Sequence, residues 1–489
     1  MKNRIVALML SLTLAGVLIC GCSNAAKSEP EPAPAPAVQE EPASDVEPEA
    51  GEAAAEDEKE QAEEPKAPVQ EEMASGLGIT SSKEFVSRTD DEGKVIVYGH
   101  YPVIRASGKD HEKLSAALDE MTKNISADIE KNLDDIAEMA KEDIADGRDL
   151  PGGYYTYECD AIVTRGDEDV LSILFTYNTF SGGAHPSSWY DAKSFDAKTG
   201  EELNIVNVVN DAASLPKTLA DKLLSEYDKE IFFEEDVEKL INESYEENLN
   251  YTYTLDNAGI CFYFSAYQLA PYAAGSQITM FPYSDYPDLV KEGFVKGDGD
   301  FIEGIVMEKK YRAGRKDELS MSFYPKLEDD YEYELNVNLG GSQTIETLTC
   351  AGMQPYLVKK DGRYFVYVDE LQLNDYKSLD IYKIGDAGLK KVGAYERGFR
   401  DACPTDPSDF FLAGRTDLLS TNNTYRSYHV GDDGMPMANE EYDHVIGSVS
   451  EKLTLKVDLE AEVFADEEAT ESAKETLPKG TVLYYFRTD

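Results

Sequence analysis

The chain has 489 residues, too many for one core, so two or three domains are expected once non-globular segments are set aside. Its 96 acidic against 46 basic side chains give a formal net charge of -50. Such a surface repels nucleic acid and anionic headgroups, and it leaves cationic proteins, cationic peptides and divalent metal ions as the partners that charge would draw in.

At the N-terminus, Lys2 and Arg4 precede an apolar stretch from Ile5 to Ile19 and then Ile19-Cys20-Gly21-Cys22. This is the pattern of a bacterial lipoprotein signal over residues 1–21, and it predicts lipid on Cys22, a membrane anchor and an extracytoplasmic location. The stretch is short for a transmembrane helix. Residues 22–78 are mostly Pro, Ala and Glu with almost no large apolar side chain. They cannot bury enough surface to offset the entropy of ordering, which predicts a disordered tether. Proline and like charge would extend it over roughly 100–150 Å.

Residues 79–296 read as an α+β domain. Lys94 to Ile104 is rich in β-branched and aromatic residues and predicts a strand or strand pair. Leu114, Leu118, Met121, Ile125, Ile129, Leu133 and Ile136 then recur every three or four positions, predicting a long helix with one apolar stripe that packs on a mixed or antiparallel sheet. Strands are expected at Tyr154 to Thr164, Asp169 to Phe180 and Trp189 to Phe195, and helices at Ser214 to Lys229 and Glu235 to Glu247. Further strands follow at Tyr251 to Leu255, Ile260 to Ser265 and Gln277 to Tyr283, with a short helix over Tyr286 to Glu292.

Beyond Gly297 the pattern becomes all-β: short alternating runs at Glu318 to Tyr324, Tyr331 to Leu339, Thr344 to Thr349, Tyr364 to Val368 and Leu379 to Ile384. Residues 297–448 are assigned to a β-rich domain and 449–489 to a small SH3-like barrel. Gly297-Asp298-Gly299-Asp300 with Glu303 hints at calcium, but further ligands at loop spacing are missing and the run reads as a solvated linker. Cys159, Cys261, Cys350 and Cys403 form two pairs by region, compatible with two disulfides or with four buried thiols.

Two segments carry a resemblance. Phe180-Ser-Gly-Gly-Ala-His-Pro186 is followed by Phe195-Asp-Ala-Lys-Thr-Gly200. Later come Phe262-Tyr-Phe264, Tyr267-Gln-Leu-Ala-Pro-Tyr-Ala-Ala-Gly275 and Pro282-Tyr283. This region resembles the tandem PdaC-like/RsiV-like extracellular domain, found in the non-catalytic N-terminal part of the peptidoglycan deacetylase PdaC and in the lysozyme-binding ectodomain of the anti-sigma factor RsiV. The chain departs from the first in having no catalytic deacetylase domain, and from the second in having no cytoplasmic sigma-binding segment or transmembrane helix.

Gly182, Gly183 and Pro186 would hold His185 in a defined place. It has neither a nucleophile nor a second ligand at recognisable spacing, so a turn-stabilising role outweighs catalysis. Trp189, Tyr190, Tyr267 and Tyr272 are candidates for an aromatic platform receiving sugar rings or a peptide partner. No catalytic residue, metal site or cofactor is assigned, since no P-loop, dinucleotide fingerprint, CxxC pair or Gly-x-Ser-x-Gly elbow occurs. The expected function is non-enzymatic binding of a cell-wall component or of a basic protein such as lysozyme. The alternatives are a peptidoglycan-modifying enzyme and a component of an envelope stress sensor.

Overall fold

The computed structural model describes residues 76–489 apart from 249, 315–317, 327–330, 374–375, 386–387, 401–402, 417–421, 447–451, 465–471, 485–486 and 489. Cys22, the signal and the predicted tether up to residue 75 lie outside the described residues.

The head begins with a hairpin of β1 (Gly78–Thr89) and β2 (Val95–Ser107). Asp90 closes its turn by accepting the Glu92 and Lys94 amides, each at 2.9 Å. Helix α1 (Glu112–Ala145) carries the chain across to β3 (Tyr155–Gly166), which lies parallel to β2. Strands β4 (Val170–Phe180) and β5 (Ser187–Asp196) extend the sheet antiparallel, giving the order β1-β2-β3-β4-β5. The α1 stripe read from the sequence is buried from Leu114 to Ile136. It packs on Val97, Tyr155, Tyr157 and Ile173 of the sheet, as an amphipathic helix on a crossover must.

A second layer follows: α2 (Ile205–Val208), α3 (Leu215–Glu226) and α4 (Val237–Asn248), then the antiparallel strands β6 (Tyr253–Leu255), β7 (Gly259–Phe264) and β8 (Gln277–Pro282). The helix expected over Tyr286 to Glu292 does not form. Pro287 disfavours helical geometry at the residue before it, and Val290 is instead held in an extended bridge with Val209. Only a single 3-10 turn, Glu292–Phe294, closes the segment.

The C-terminal part is all-β and built in three layers. Its central sheet has the order β17-β16-β15-β14-β9, from β9 (Phe301–Gly304) to β14 (Gly352–Lys360), β15 (Arg363–Leu371), β16 (Lys377–Gly385) and β17 (Gly388–Tyr395). Leu357, Val366, Val368 and Tyr382 on one face pack against the sheet of β10 (Tyr311–Arg312), β11 (Glu318–Pro325), β12 (Glu332–Leu339) and β13 (Ser342–Thr349). Tyr356, Val358, Phe365 and Tyr367 on the other face pack against β18 (Gly398–Phe399), β19 (Phe410–Thr416) and β20 (Asn422–Val430).

The closed SH3-like barrel expected at the C-terminus is not seen among the described residues. Lys452–Thr454 pairs with Val482–Tyr484, and Leu459–Phe464 pairs with Ser472–Leu477, as two separate ribbons. Arg487–Thr488 instead pairs with Asp443–Val445, which in turn pairs with β20.

Of the Gly297 to Glu303 run, residues 297–299 are an exposed loop as read, but Glu303 is not part of a solvated linker. Asp298 and Asp300 are ion-paired with Lys359 and Lys360, and Glu303 is buried against Asn257. Cys159, Cys261, Cys350 and Cys403 are buried free thiols.

Candidate binding site

Two loops meet at one end of the head. The first joins β4 to β5, where Gly182 and Gly183 take φ values of 89° and 99° that only glycine adopts readily. His185 follows, and its Nδ1 lies 2.9 Å from the Pro186 carbonyl oxygen. A carbonyl only accepts, so Nδ1 is the donor in this contact. The second loop joins β7 to β8. Ser265 and Gln268 close it on themselves, with the Ser265 amide donating to Gln268 Oε1 at 2.9 Å and the Gln268 amide to the Ser265 carbonyl at 3.0 Å. Ser265 Oγ also accepts the Tyr190 amide at 3.0 Å, which ties this loop to β5.

Pro271 launches a 3-10 turn, Tyr272–Ala274, and so places the Tyr272 ring flat against His185, with centroids 3.8 Å apart and planes 14° from parallel. Tyr267 stands beside them, its centroid 5.7 Å from that of Tyr272. It is 59% exposed, and its φ of 70° lies in the left-handed region that a non-glycine side chain occupies at a cost. Three rings from two loops therefore form one accessible surface. Flat aromatic faces of this kind hold sugar C–H faces, aromatic partners or cations with little loss of rotamer freedom.

Trp189 and Tyr190 lie elsewhere. Successive residues of a strand point to opposite faces. Trp189 turns to the α1 side, stacked on Tyr177 with centroids 5.1 Å apart and planes 3° from parallel, and 5.9 Å from Tyr157. Tyr190 turns to the other face and packs on Tyr263 at 5.4 Å. Burial and the Glu308 charge push its hydroxyl up to about 12. The structure thus brings His185, Tyr267 and Tyr272 together and places Trp189 and Tyr190 in packing on either side of β5.

Each of the other histidines has its own partner. His100 Nε2 is 3.1 Å from Asp160 and its Nδ1 is 3.5 Å from Glu158. His111 meets the Ala197 carbonyl at 2.8 Å, His429 meets Asn439 at 2.6 Å, and His444 meets Glu440 at 2.6 Å. Among the described residues no three His, Cys, Asp or Glu side chains are placed to hold a metal ion.

Residues 92–188 match the family model described as Deacetylase PdaC, and residues 209–284 match that of a protein of unknown function, DUF3298. The head is a tandem PdaC-like and DUF3298 region. His185 falls in the PdaC-like segment, and Tyr267 and Tyr272 fall in the DUF3298 segment, so the ring platform is assembled from both. Two solved structures are similar to the chain. A member of the DUF3298 family from Bacteroides fragilis is 17% identical, with 44% of this chain and 94% of that one covered and a TM-score of 0.33. A DUF3298 family protein from Pseudomonas aeruginosa is 14% identical, with 45% and 96% covered and a TM-score of 0.29. No curated protein matches the chain.

Proposed function

We propose that the chain is a lipid-anchored protein of the extracytoplasmic membrane face, whose tandem PdaC-like and DUF3298 head binds a cell-wall component or a basic protein such as lysozyme without making or breaking bonds. Cys22 would carry the anchor, and the Pro/Ala/Glu-rich segment would hold the head away from the bilayer. The observation that carries the reading is the His185–Tyr272 stack with Tyr267 exposed beside it, three rings presented by two hydrogen-bonded loops. The acidic surface favours encounter with a cationic partner, an effect that weakens with salt.

The test is binding of the intact chain to lysozyme and, separately, to soluble cell-wall fragments at low and moderate salt. Tyr272→Ala is expected to weaken binding by about ten-fold or more, roughly 1.4 kcal/mol, because it removes the central ring. Wild-type binding to neither ligand at low salt ends the proposal, and unchanged affinity in Tyr272→Ala removes the platform from it. A second reading is favoured by the Deacetylase PdaC match over residues 92–188, namely a role in modifying peptidoglycan acetyl groups. Release of acetate from cell-wall fragments in the presence of a divalent metal would establish it.

A further inference from the structure

Away from the platform, the densest chemistry lies where the chain leaves the head. Glu303 of β9, Asp256 and Asn257 of the β6–β7 turn, and Lys309 are buried together. Lys309 Nζ lies 2.5 Å from Asp256 Oδ2, each side chain 1% exposed, and 4.3 Å from the centre of the Tyr311 ring. Asn257 Nδ2 donates to Glu303 Oε2 at 2.6 Å and to the Thr164 carbonyl at 3.1 Å. Lys296 Nζ donates to Asn257 Oδ1 at 2.6 Å and lies 3.5 Å from Asp167, which Arg165 holds at 2.7 Å. Gly304 sits so close to β3 that an added Cβ would fall 2.5 Å from Ile162 Cγ2. The head and the three-layered β region therefore meet through a largely buried seam.

The charges in this seam are not paired one to one. Lys309 serves Asp256, and Arg165 and Lys296 both lie on Asp167, while among the described residues no cation lies within ion-pairing distance of Glu303. Asp256 Oδ1 is also buried and accepts no hydrogen bond. A buried acceptor lacking a donor, next to a carboxyl lacking a cation, is an arrangement that one added proton improves, because a neutral carboxyl is cheaper to bury and brings a donor.

We propose that this seam is a pH-responsive clasp between the head and the β region, closed while buried Glu303 holds a proton and loosened when that proton leaves. Burial pushes the Glu303 carboxyl up to about 7 against the pull of Lys309, with Asp256 reinforcing the rise and Asn257 opposing it. When the clasp opens, Glu303 returns to water and to its ordinary value of 4.5. The closed form then binds more protons between those two values, so opening grows easier as pH rises across that window and levels off above it.

The other groups that face the cluster are Cys261 and Tyr263 of β7, Tyr311 of β10, Tyr364 of β15, Arg165 of β3, Asp167 just after it, Tyr283 after β8, and Lys296. Burial pushes the Cys261 thiol up to about 12 and raises all four phenols, so these groups stay neutral across the window. Asp167 is held below the usual carboxylate range, since the Arg165 and Lys296 charges outweigh its burial. Burial lowers Lys296 despite the Asp167 charge, making it the one other group that moves toward the window.

Hydrogen exchange of the full chain at pH 5.5 and pH 8.0, corrected for intrinsic rates, tests the clasp. Peptides covering β9 and residues 255–258 are expected to lose about 30-fold in protection between the two, the ratio set by a carboxyl moving from 7 to 4.5 on opening. Glu303→Gln abolishes that difference. Glu370→Gln, which removes another carboxyl that burial pushes up to about 7, leaves it intact. Equal wild-type protection at both pH values overturns the proposal, as does a full difference in Glu303→Gln or its loss in Glu370→Gln. Should Glu303→Gln not fold, the wild-type and Glu370→Gln profiles decide alone.

Discussion

The ring platform on the head and the buried seam where the head meets the β region differ in nearly every physical respect. The platform is built on loops, one of its rings is largely exposed, and its three side chains make few polar contacts. The seam is built on strands and turns, is largely buried, and gathers three cations and three carboxyl groups. Truncating an exposed ring leaves no group stranded, whereas truncating one partner of a buried ion pair leaves an uncompensated charge. The difference teaches that chemically rich clusters divide by what their loss would strand: removing a platform ring strands no charge, whereas removing one partner in the seam does.

The largest effect expected from that contrast comes from cutting the chain after residue 296. Such a fragment keeps Asp256, Asn257 and Tyr263 but loses Lys309, Glu303 and Val306, which packs on Leu174, Cys261 and Tyr263. It should melt well below the longer chain. Lys309→Ala isolates the charge term and is expected to cost about 3–5 kcal/mol in urea unfolding. Replacing Lys309 and Asp256 together by Met and Leu should cost much less, because no charge is then stranded. A Lys309→Ala cost below about 1 kcal/mol would mean that water reaches the seam, and the contrast with the platform would fail.

What was legible in the sequence follows the range of the interactions. The α1 stripe is a local periodicity, and every predicted position from Leu114 to Ile136 is buried. Strand β14 carried no alternation signal, because the central sheet is covered on both faces and Pro355 to Lys359 is buried throughout. Glu303 looked solvated for a different reason. Its partner Asn257 lies 46 residues away and the Asp256–Lys309 pair spans 53, distances at which local composition says nothing. The separation of Trp189 from Tyr190 was available, since adjacent residues of a predicted strand cannot share a face.

An intermediate effect sharpens the comparison through pH. On the sheet face opposite α1, burial disfavours the charged form of His100, but its hydrogen bonds to Asp160 and Glu158 outweigh that and raise its pKa. Asp160, bonded to His100 and to Lys83 at 2.5 Å, is held far below the carboxylate range although burial works the other way. It stays ionised under all ordinary conditions. The stabilisation from His100 is therefore complete below its unfolded value of 6.5 and is lost as pH rises through its higher folded value. The clasp responds between 4.5 and 7 and His100 only above 6.5, so the two devices overlap only between 6.5 and 7 on the pH axis. Thermal unfolding of His100→Gln from pH 5 to 9 should lose the upper part of the wild-type slope and keep the lower part. Loss of both parts would show that His100 and the seam titrate as one system.

The smallest effect is the most telling for the platform. Tyr267 holds a left-handed backbone, a conformation that costs a non-glycine residue on the order of 1 kcal/mol or more. Its ring is mostly exposed and recovers little of that by packing. Glycine relieves the strain but adds freedom to the unfolded chain, so Tyr267→Gly is expected to leave stability within about 1 kcal/mol of wild type, on the stabilising side. If the ring is kept for a ligand, the same variant should bind lysozyme or cell-wall fragments less well while melting no lower. A fall in melting temperature with binding unchanged would reassign Tyr267 to packing against Tyr272, leaving His185 and Tyr272 alone as the surface to which a partner docks.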